Sequence, residues 1–301
     1  MSNKPGRELV LEVARVTEAA AIAAGRWAGS GDKNGADGAA VTAMRRQLET
    51  VTMDGVVIIG EGEKDEAPML YNGERVGSGE GPAVDVAVDP IDGTTLLSLG
   101  RQNSVAVMTI AESGSMFDPG PCVYMEKMAV GPSAAGSIDI SRPVAENIRS
   151  VASALGKELG DVVAVILDRD RHAEIIEEVR GTGAKVRLIP DGDVAGALST
   201  AVDYVPGDIL IGIGGTPEGV IAAGALKCLG GELHAPRPYM HVYISRQRDE
   251  VRIAQSRICE HPAAWHPLEP AIRRYRLRSF PYGLIYAVEN GEVVVLAVAH
   301  L

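Results

Sequence analysis

The stretch Asp89-Pro90-Ile91-Asp92-Gly93-Thr94-Thr95 follows Val84-Asp85-Val86-Ala87-Val88, a run whose valines alternate. Alternation with a period of two predicts a half-buried strand. The proline, aspartates and glycine after it predict a turn. The reading therefore sets two carboxylates, Asp89 and Asp92, where a buried strand breaks off. Gly93 and Thr94 can open a helix behind them. Carboxylate oxygens ligate hard divalent cations, and helix-terminal N–H groups suit a phosphate. This is the chemistry of metal-dependent phosphomonoester hydrolysis. The alternative is a plain Asx turn with a helix cap.

A second run points the same way. Val56-Val57-Ile58-Ile59 reads as a buried strand and ends in Gly60-Glu61-Gly62-Glu63-Lys64-Asp65-Glu66. A carboxylate between glycines at a strand end is open to a ligand. An acidic solvated loop is the competing reading of this run alone. Taken with the aspartates downstream, it suggests one divalent-metal site fed by two neighbouring strand ends.

At wider range, GDKNGADGAAV (31–41), GEGEKDEAPMLYNGE (60–74), DPIDGTT (89–95), YMEK (124–127), DGDVAGA (191–197) and GIGGTPEGV (212–220) stand in order along the chain. Together they resemble the class II fructose-1,6-bisphosphatase family over residues 7–235. The resemblance implies an α/β fold of layered αβαβα sheets, within the lithium-sensitive, metal-dependent sugar and inositol phosphatases. It implies hydrolysis of fructose 1,6-bisphosphate, a step of gluconeogenesis, with sedoheptulose 1,7-bisphosphate as a further substrate. An inositol-phosphate or other sugar-phosphate monoesterase is the nearest alternative. The cofactor implied is Mg²⁺ or Mn²⁺, and the assembly a homo-oligomer, dimer or tetramer.

Carried onto matching positions, the resemblance makes Asp37 and Glu61 ligands of one ion, and Asp89 and Glu218 ligands of another. Asp92 stands at the boundary of metal and substrate. Five carboxylates brought together are electrostatically untenable without cations. Thr94, with Asp37 or Glu61, is expected to orient and deprotonate the attacking water; capping of the next helix is its alternative role. Lys33 and Tyr124 are expected at phosphate, and Asp191, Gly192 and Asp193 at sugar hydroxyls. Gly93 and Gly215 are expected to allow close backbone approach. Arg169 and Arg171 follow a buried strand and can grip phosphate through planar, bidentate donors. Family members often carry Pro between these two basic residues; here Asp170 adds a negative charge beside the grip.

Composition bounds the rest. The chain has 301 residues, 46% of them hydrophobic, and a mean hydropathy of +0.07. That suffices for a large core and one or two domains. No run approaches the ~18 apolar residues of a membrane span. The N-terminus lacks a charged-then-apolar leader pattern. Cys122, Cys228 and Cys259 are too scattered for a disulfide or metal framework. These features predict a cytoplasmic protein. A net charge of −11 disfavours a nucleic-acid track and calls for cations if the substrate is a sugar bisphosphate.

The β–loop–α alternation after residue 160 predicts substantial parallel sheet. Helices are expected over 7–26, 38–52, 143–156, 172–181, 193–202 and from 216 to 229. Strands are expected over 56–59, 84–88, 104–111, 162–167, 185–189 and 209–213. Each motif then falls just after a strand, where open α/β sheets bind ligands.

The composition changes after Gly230-Gly231-Glu232-Leu233-His234-Ala235-Pro236. Residues 236–301 hold nine Arg, no Lys and six acidic residues, whereas residues 1–235 carry a net charge of −14. Two domains are therefore expected, 1–235 and 236–301. The family's later strand-rich segment has no counterpart here, so the phosphatase fold is expected to be truncated. Residues 246–301 instead resemble the second half of a ParE/RelE-type toxin, a small β-rich foreign lobe. Three strands are expected there, with a hairpin at Asn290-Gly291. An inactive fusion carrying a toxin-like binding module is the reading from a different functional class.

Overall fold

The computed structural model describes residues 8–60, 70–120, 122–202 and 205–235. In the tail it describes 256–258, 260, 261, 264, 266, 267, 272–276, 282–289 and 292–300. Two compact units result: Met1–Asp168 with Ile175–Pro236, and Arg169–Glu174 with Arg237–Leu301.

The first unit opens with α1 (Glu8–Gly25) and α2 (Lys33–Leu48). Helix α1 is rich in Ala, Leu and Val, mostly good helix formers. Helix α2 starts five residues earlier than the sequence pattern suggests. Asp32 caps the helix there, accepting the Gly35 N–H at 2.9 Å. A β-carbon at Gly35 would strike the Trp27 ring. Arg45 and Arg46 in the last turn complement the helix dipole.

Strands β1 (Asp54–Ile59), β2 (Arg75–Val76), β3 (Ala83–Asp92) and β4 (Val105–Glu112) form one sheet in the order β2-β1-β3-β4. Strands β1 and β3 run parallel, and the outer pairs are antiparallel. Strand β3 does not stop at Val88 as expected; it continues through Pro90 to Asp92. Its register against β4 shifts between Asp89 and Asp92. That irregularity accommodates a proline, which has no N–H for the ladder. The expected helix behind it, α3 (Thr94–Ser98), is only five residues long. Such a short turn makes no helix-terminal phosphate site of the kind the sequence suggested.

The second sheet contains β5 (Tyr124–Val130), β6 (Val163–Leu167), β7 (Lys185–Ile189), β8 (Ile209–Gly215) and β9 (Glu232–His234), in the order β7-β6-β8-β5-β9. The three strands β7, β6 and β8 are parallel, as the β–loop–α pattern predicts. Strand β5, which pairs antiparallel with both β8 and β9, and strand β9 are additions that the pattern did not flag. Helices α4 (Val144–Leu155), α5 (Ala173–Gly181), α6 (Asp193–Leu198) and α7 (Thr216–Leu229) complete the unit.

Three apolar clusters define its layers. Val84, Val86 and Val88 of β3 pack with Val16 and Ala20 of α1 and Met44 and Leu48 of α2. On the far side, Ala164 and Ile166 of β6 and Ile209 and Ile211 of β8 pack with Ile148 and Val151 of α4 and Val179 of α5. Between the sheets, Ala87 of β3 and Val165 and Leu210 of β6 and β8 close on Val194, Ala197, Ile221 and Leu226 of α6 and α7. Alternate residues of one strand thus serve two different cores, the period-two rule applied to sheets covered on both faces. The unit is an αβαβα stack.

In the second unit, β10 (His266–Pro267), β11 (Ile272–Arg276), β12 (Tyr282–Glu289) and β13 (Glu292–His300) form an antiparallel sheet in chain order. The pairing Glu289↔Glu292 brackets the expected Asn290-Gly291 turn, whose own two residues lie outside the described ones. Strand β10 is an addition to the three strands expected.

Close packing between strand and helix ends is tested at Gly131, just after β5. Its φ of −74° is open to any residue, but an added β-carbon would run into the Thr200 carbonyl. We expect Gly131→Ala to cost roughly 1–3 kcal/mol through overpacking, read as a lower urea midpoint with an unchanged slope.

Candidate active site

The end of β3, the start of α6 and the start of α7 bring acidic side chains together. Asp92 is the last residue of β3 and is 4% exposed; Asp193 is the first residue of α6 and is 6% exposed. Asp92 Oδ2 accepts the Ala195 N–H at 3.0 Å, which ties the first sheet to α6. Burial, then the charge of Asp193, push the Asp92 carboxyl well above the usual carboxylate range. Glu218 and Asp191 push the same way, and the Ala195 N–H opposes them. Asp191 Oδ2 in turn accepts the Thr95 N–H at 3.2 Å.

Two glycines let these segments meet. Gly93 and Gly192 both adopt left-handed backbone, with φ of +82° and +81°. A β-carbon on Gly93 would sit 3.6 Å from the Gly192 α-carbon. Gly215 has an ordinary φ of −58°, but a β-carbon there would fall on the Glu218 carboxylate. Glycine at 215 therefore gives room to this carboxylate.

The other expected residues are placed as follows. Lys33, first in α2, donates from Nζ to Thr95 Oγ1 at 2.8 Å. Asp37 lies one turn on, at i+4 on the same helix. The Gly29 and Gly31 N–H groups bond to Leu97 and Ser98 carbonyls at 2.9 Å, so the turn before α2 hangs on α3. Asp89 Oδ1 accepts the Ile91 N–H at 3.0 Å, so the Asx turn weighed as the alternative is present. Thr94 is the first residue of α3, after the capping Gly93; its hydroxyl donates to the Ile91 carbonyl at 3.1 Å. Tyr124 pairs in register with Gly215. Arg169 and Arg171 are half-buried and Asp170 is exposed, in the turn after β6. Glu61 lies outside the described residues.

Among the described residues, no three His, Cys, Asp or Glu side chains form a ready metal-ligand set. What fits a divalent cation is the charge balance. Three carboxylates bear on the buried Asp92, and Lys127 is the only buried Lys or Arg among the described residues. Hard cations take this kind of oxygen donor.

Sequence reasoning missed Lys127 and Thr95. A signal for Lys127 exists. In Tyr124-Met125-Glu126-Lys127-Met128-Ala129-Val130, Lys127 alternates with Ala129, which faces the core between the sheets. A lysine at an inward strand position is a polar residue that needs a partner.

The raised Asp92 carboxyl predicts a stability effect. The folded chain holds its proton more tightly than the unfolded chain does. Stability from this group is therefore complete below the unfolded carboxylate range and is lost as pH rises toward the folded value. In EDTA at pH 7, Asp92→Asn should melt above wild type, by about 2–4 °C per kcal/mol of repulsion relieved. A lower melting temperature for the variant would contradict the reading.

Comparison with known proteins agrees with this architecture. The family model for bacterial, glpX-encoded fructose-1,6-bisphosphatase matches residues 7–258. The match continues past residue 235, where the composition changes, as far as residue 258. Fructose-1,6-bisphosphatase 1 class 2 of Escherichia coli K12 is 50% identical over 228 residues, covering 76% of this chain and 68% of the relative. The class 2 enzyme of Shigella flexneri gives the same figures. No helix among the described residues is long and apolar enough to cross a membrane. The chain belongs to the bacterial class II fructose-1,6-bisphosphatase family.

Proposed function

We propose that this chain hydrolyses the 1-phosphate of fructose 1,6-bisphosphate, releasing fructose 6-phosphate and inorganic phosphate. The observation that carries the reading is 50% identity over 228 residues to class 2 fructose-1,6-bisphosphatases. The buried acidic cluster supports the same chemistry. Asp37, Glu61, Asp89, Asp92 and Glu218 would hold the divalent cations, Mg²⁺ or Mn²⁺. When bound, such cations supply Lewis acidity toward phosphate and attacking water.

The chain's own residues do the rest. Thr94, with Asp37 or Glu61, orients water and takes its proton as the oxygen attacks phosphorus. The bond between phosphorus and the sugar oxygen breaks, and that oxygen leaves to be protonated as a hydroxyl. Lys33 offers a flexible point charge to phosphate, and Tyr124 a hydroxyl donor. Asp191 and Asp193, flanking Gly192, accept sugar hydroxyls. Arg169 and Arg171 grip the second phosphate, with Asp170 weakening that grip. A cytoplasmic homo-oligomer follows from the family reading. The antiparallel sheet at 266–300 is compatible with a ParE/RelE-like binding lobe, an assignment that rests on sequence resemblance alone.

The test is phosphate release from fructose 1,6-bisphosphate with Mg²⁺, Mn²⁺ or EDTA. We expect cation-dependent release, lost by at least about 100-fold in Asp89→Ala. Equal release in EDTA would overturn the mechanism. Release from inositol monophosphate alone would replace the substrate.

A further inference from the structure

Lys127 is 2% exposed and lies on β5, on the strand face that looks between the two sheets. Its Nζ donates to the Gly215 carbonyl at 3.0 Å. The same Nζ forms an ion pair with Asp193 Oδ2. A buried ammonium with no partner would be strongly unfavourable, so the location of these acceptors fixes where Nζ sits. Conversely, Nζ fixes them.

The two acceptors belong to different parts of the acidic cluster. Gly215 is the last residue of β8 and precedes α7, which carries Glu218 in its first turn. Asp193 opens α6 and is the carboxylate whose charge weighs most on Asp92. The packing around the pair leaves no slack. A β-carbon on Gly214 would collide with Asp193 Oδ2 and come within 2.9 Å of Nζ. One on Gly219 would collide with Met125, the neighbour of Lys127 on that face, and lie 3.6 Å from Lys127 Cδ.

We propose that Lys127 is a positioning residue for the hydrolysis reaction. It holds Asp193 Oδ2, so that Oδ1 is the oxygen presented to a sugar hydroxyl. Lys127 acts through Asp193 and need not touch substrate. This inference rests on the fructose-bisphosphatase reading above.

The experiment is a kinetic cycle with fructose 1,6-bisphosphate and Mn²⁺, using Lys127→Met, Asp193→Asn and the double variant, each with its melting temperature. Methionine keeps the length and apolar stem and removes the charge. We expect Lys127→Met to lower kcat/KM by about 30-fold, chiefly through KM. The double variant should match Asp193→Asn within about threefold, since both changes break one interaction. A role in folding alone would lower the melting temperature and leave kcat and KM near wild type; that result overturns the proposal. Fully additive losses would also overturn it, because Lys127 would then act independently of Asp193.

If Lys127→Met does not fold, the double variant still carries the test, since it leaves neither charge unpaired. Gly214→Ala serves beside it: both charges remain, and displacement of the pair should raise KM. An unchanged KM in Gly214→Ala, with a double variant much worse than Asp193→Asn, overturns the proposal. A wild-type chain that releases no phosphate overturns the fructose-bisphosphatase reading and this inference with it. Wild-type turnover with an unaffected Lys127→Met overturns the inference alone.

Discussion

Carboxylates repel one another most strongly where water is excluded, and this chain buries Asp92 within reach of Asp193, Glu218 and Asp191. No hydrophobic gain requires that arrangement, since the aspartates contribute little apolar surface. The fold accepts it at the ends of strands whose middles are thoroughly apolar. Val84, Val86 and Val88 anchor β3 on one side and Ala87 on the other, so the backbone is already fixed when it delivers Asp92. The remaining charge imbalance is eased by the Ala195 N–H and by Lys127 on Asp193.

The layering explains why the cluster forms where it does. Helices α6 and α7 lie between the two sheets, and each begins beside the end of a strand. Asp193 and Glu218 therefore point from the first turns of the middle layer toward the last residue of β3. The glycines at 93, 192, 214 and 215 remove the side chains that would otherwise keep these segments apart.

Much of this was legible in the sequence, for physical reasons specific to each element. The apolar runs at 56–59, 162–167 and 209–213 are strands because sheets covered on both faces need residues of that kind throughout. The acidic motifs were found because each follows such a run. Strand β5 was not recognised, because Glu126 and Lys127 interrupt its apolar pattern, and the charge of Lys127 makes sense only once Asp193 and the Gly215 carbonyl are known to meet it. The length of β3 was misjudged, because Pro90 argues against a strand and only a register shift beside β4 removes the conflict. The start of α2 was placed late because the apolar spacing begins only at Val41, whereas the first turn is held by the Asp32 cap, and its Gly35 leaves room for the Trp27 ring. Strand-end patterns paired the run after Ile59 with Asp89 and Asp92, but that Asp193 and Asp191 bear on Asp92 is a contact across long sequence separation that no local pattern encodes. In the tail, the Asn290-Gly291 hairpin was readable because the turn type dictates those residues.

The central claim is that the buried acidic cluster is a cation site before it is anything else. The direct measurement is calorimetric titration of Mn²⁺ into the full chain after EDTA treatment and desalting. The account predicts saturable binding with a stoichiometry of at least one ion per chain, weakened when Asp92 is replaced by Asn. An absence of saturable binding in folded protein, or equal binding by wild type and Asp92→Asn, would contradict it.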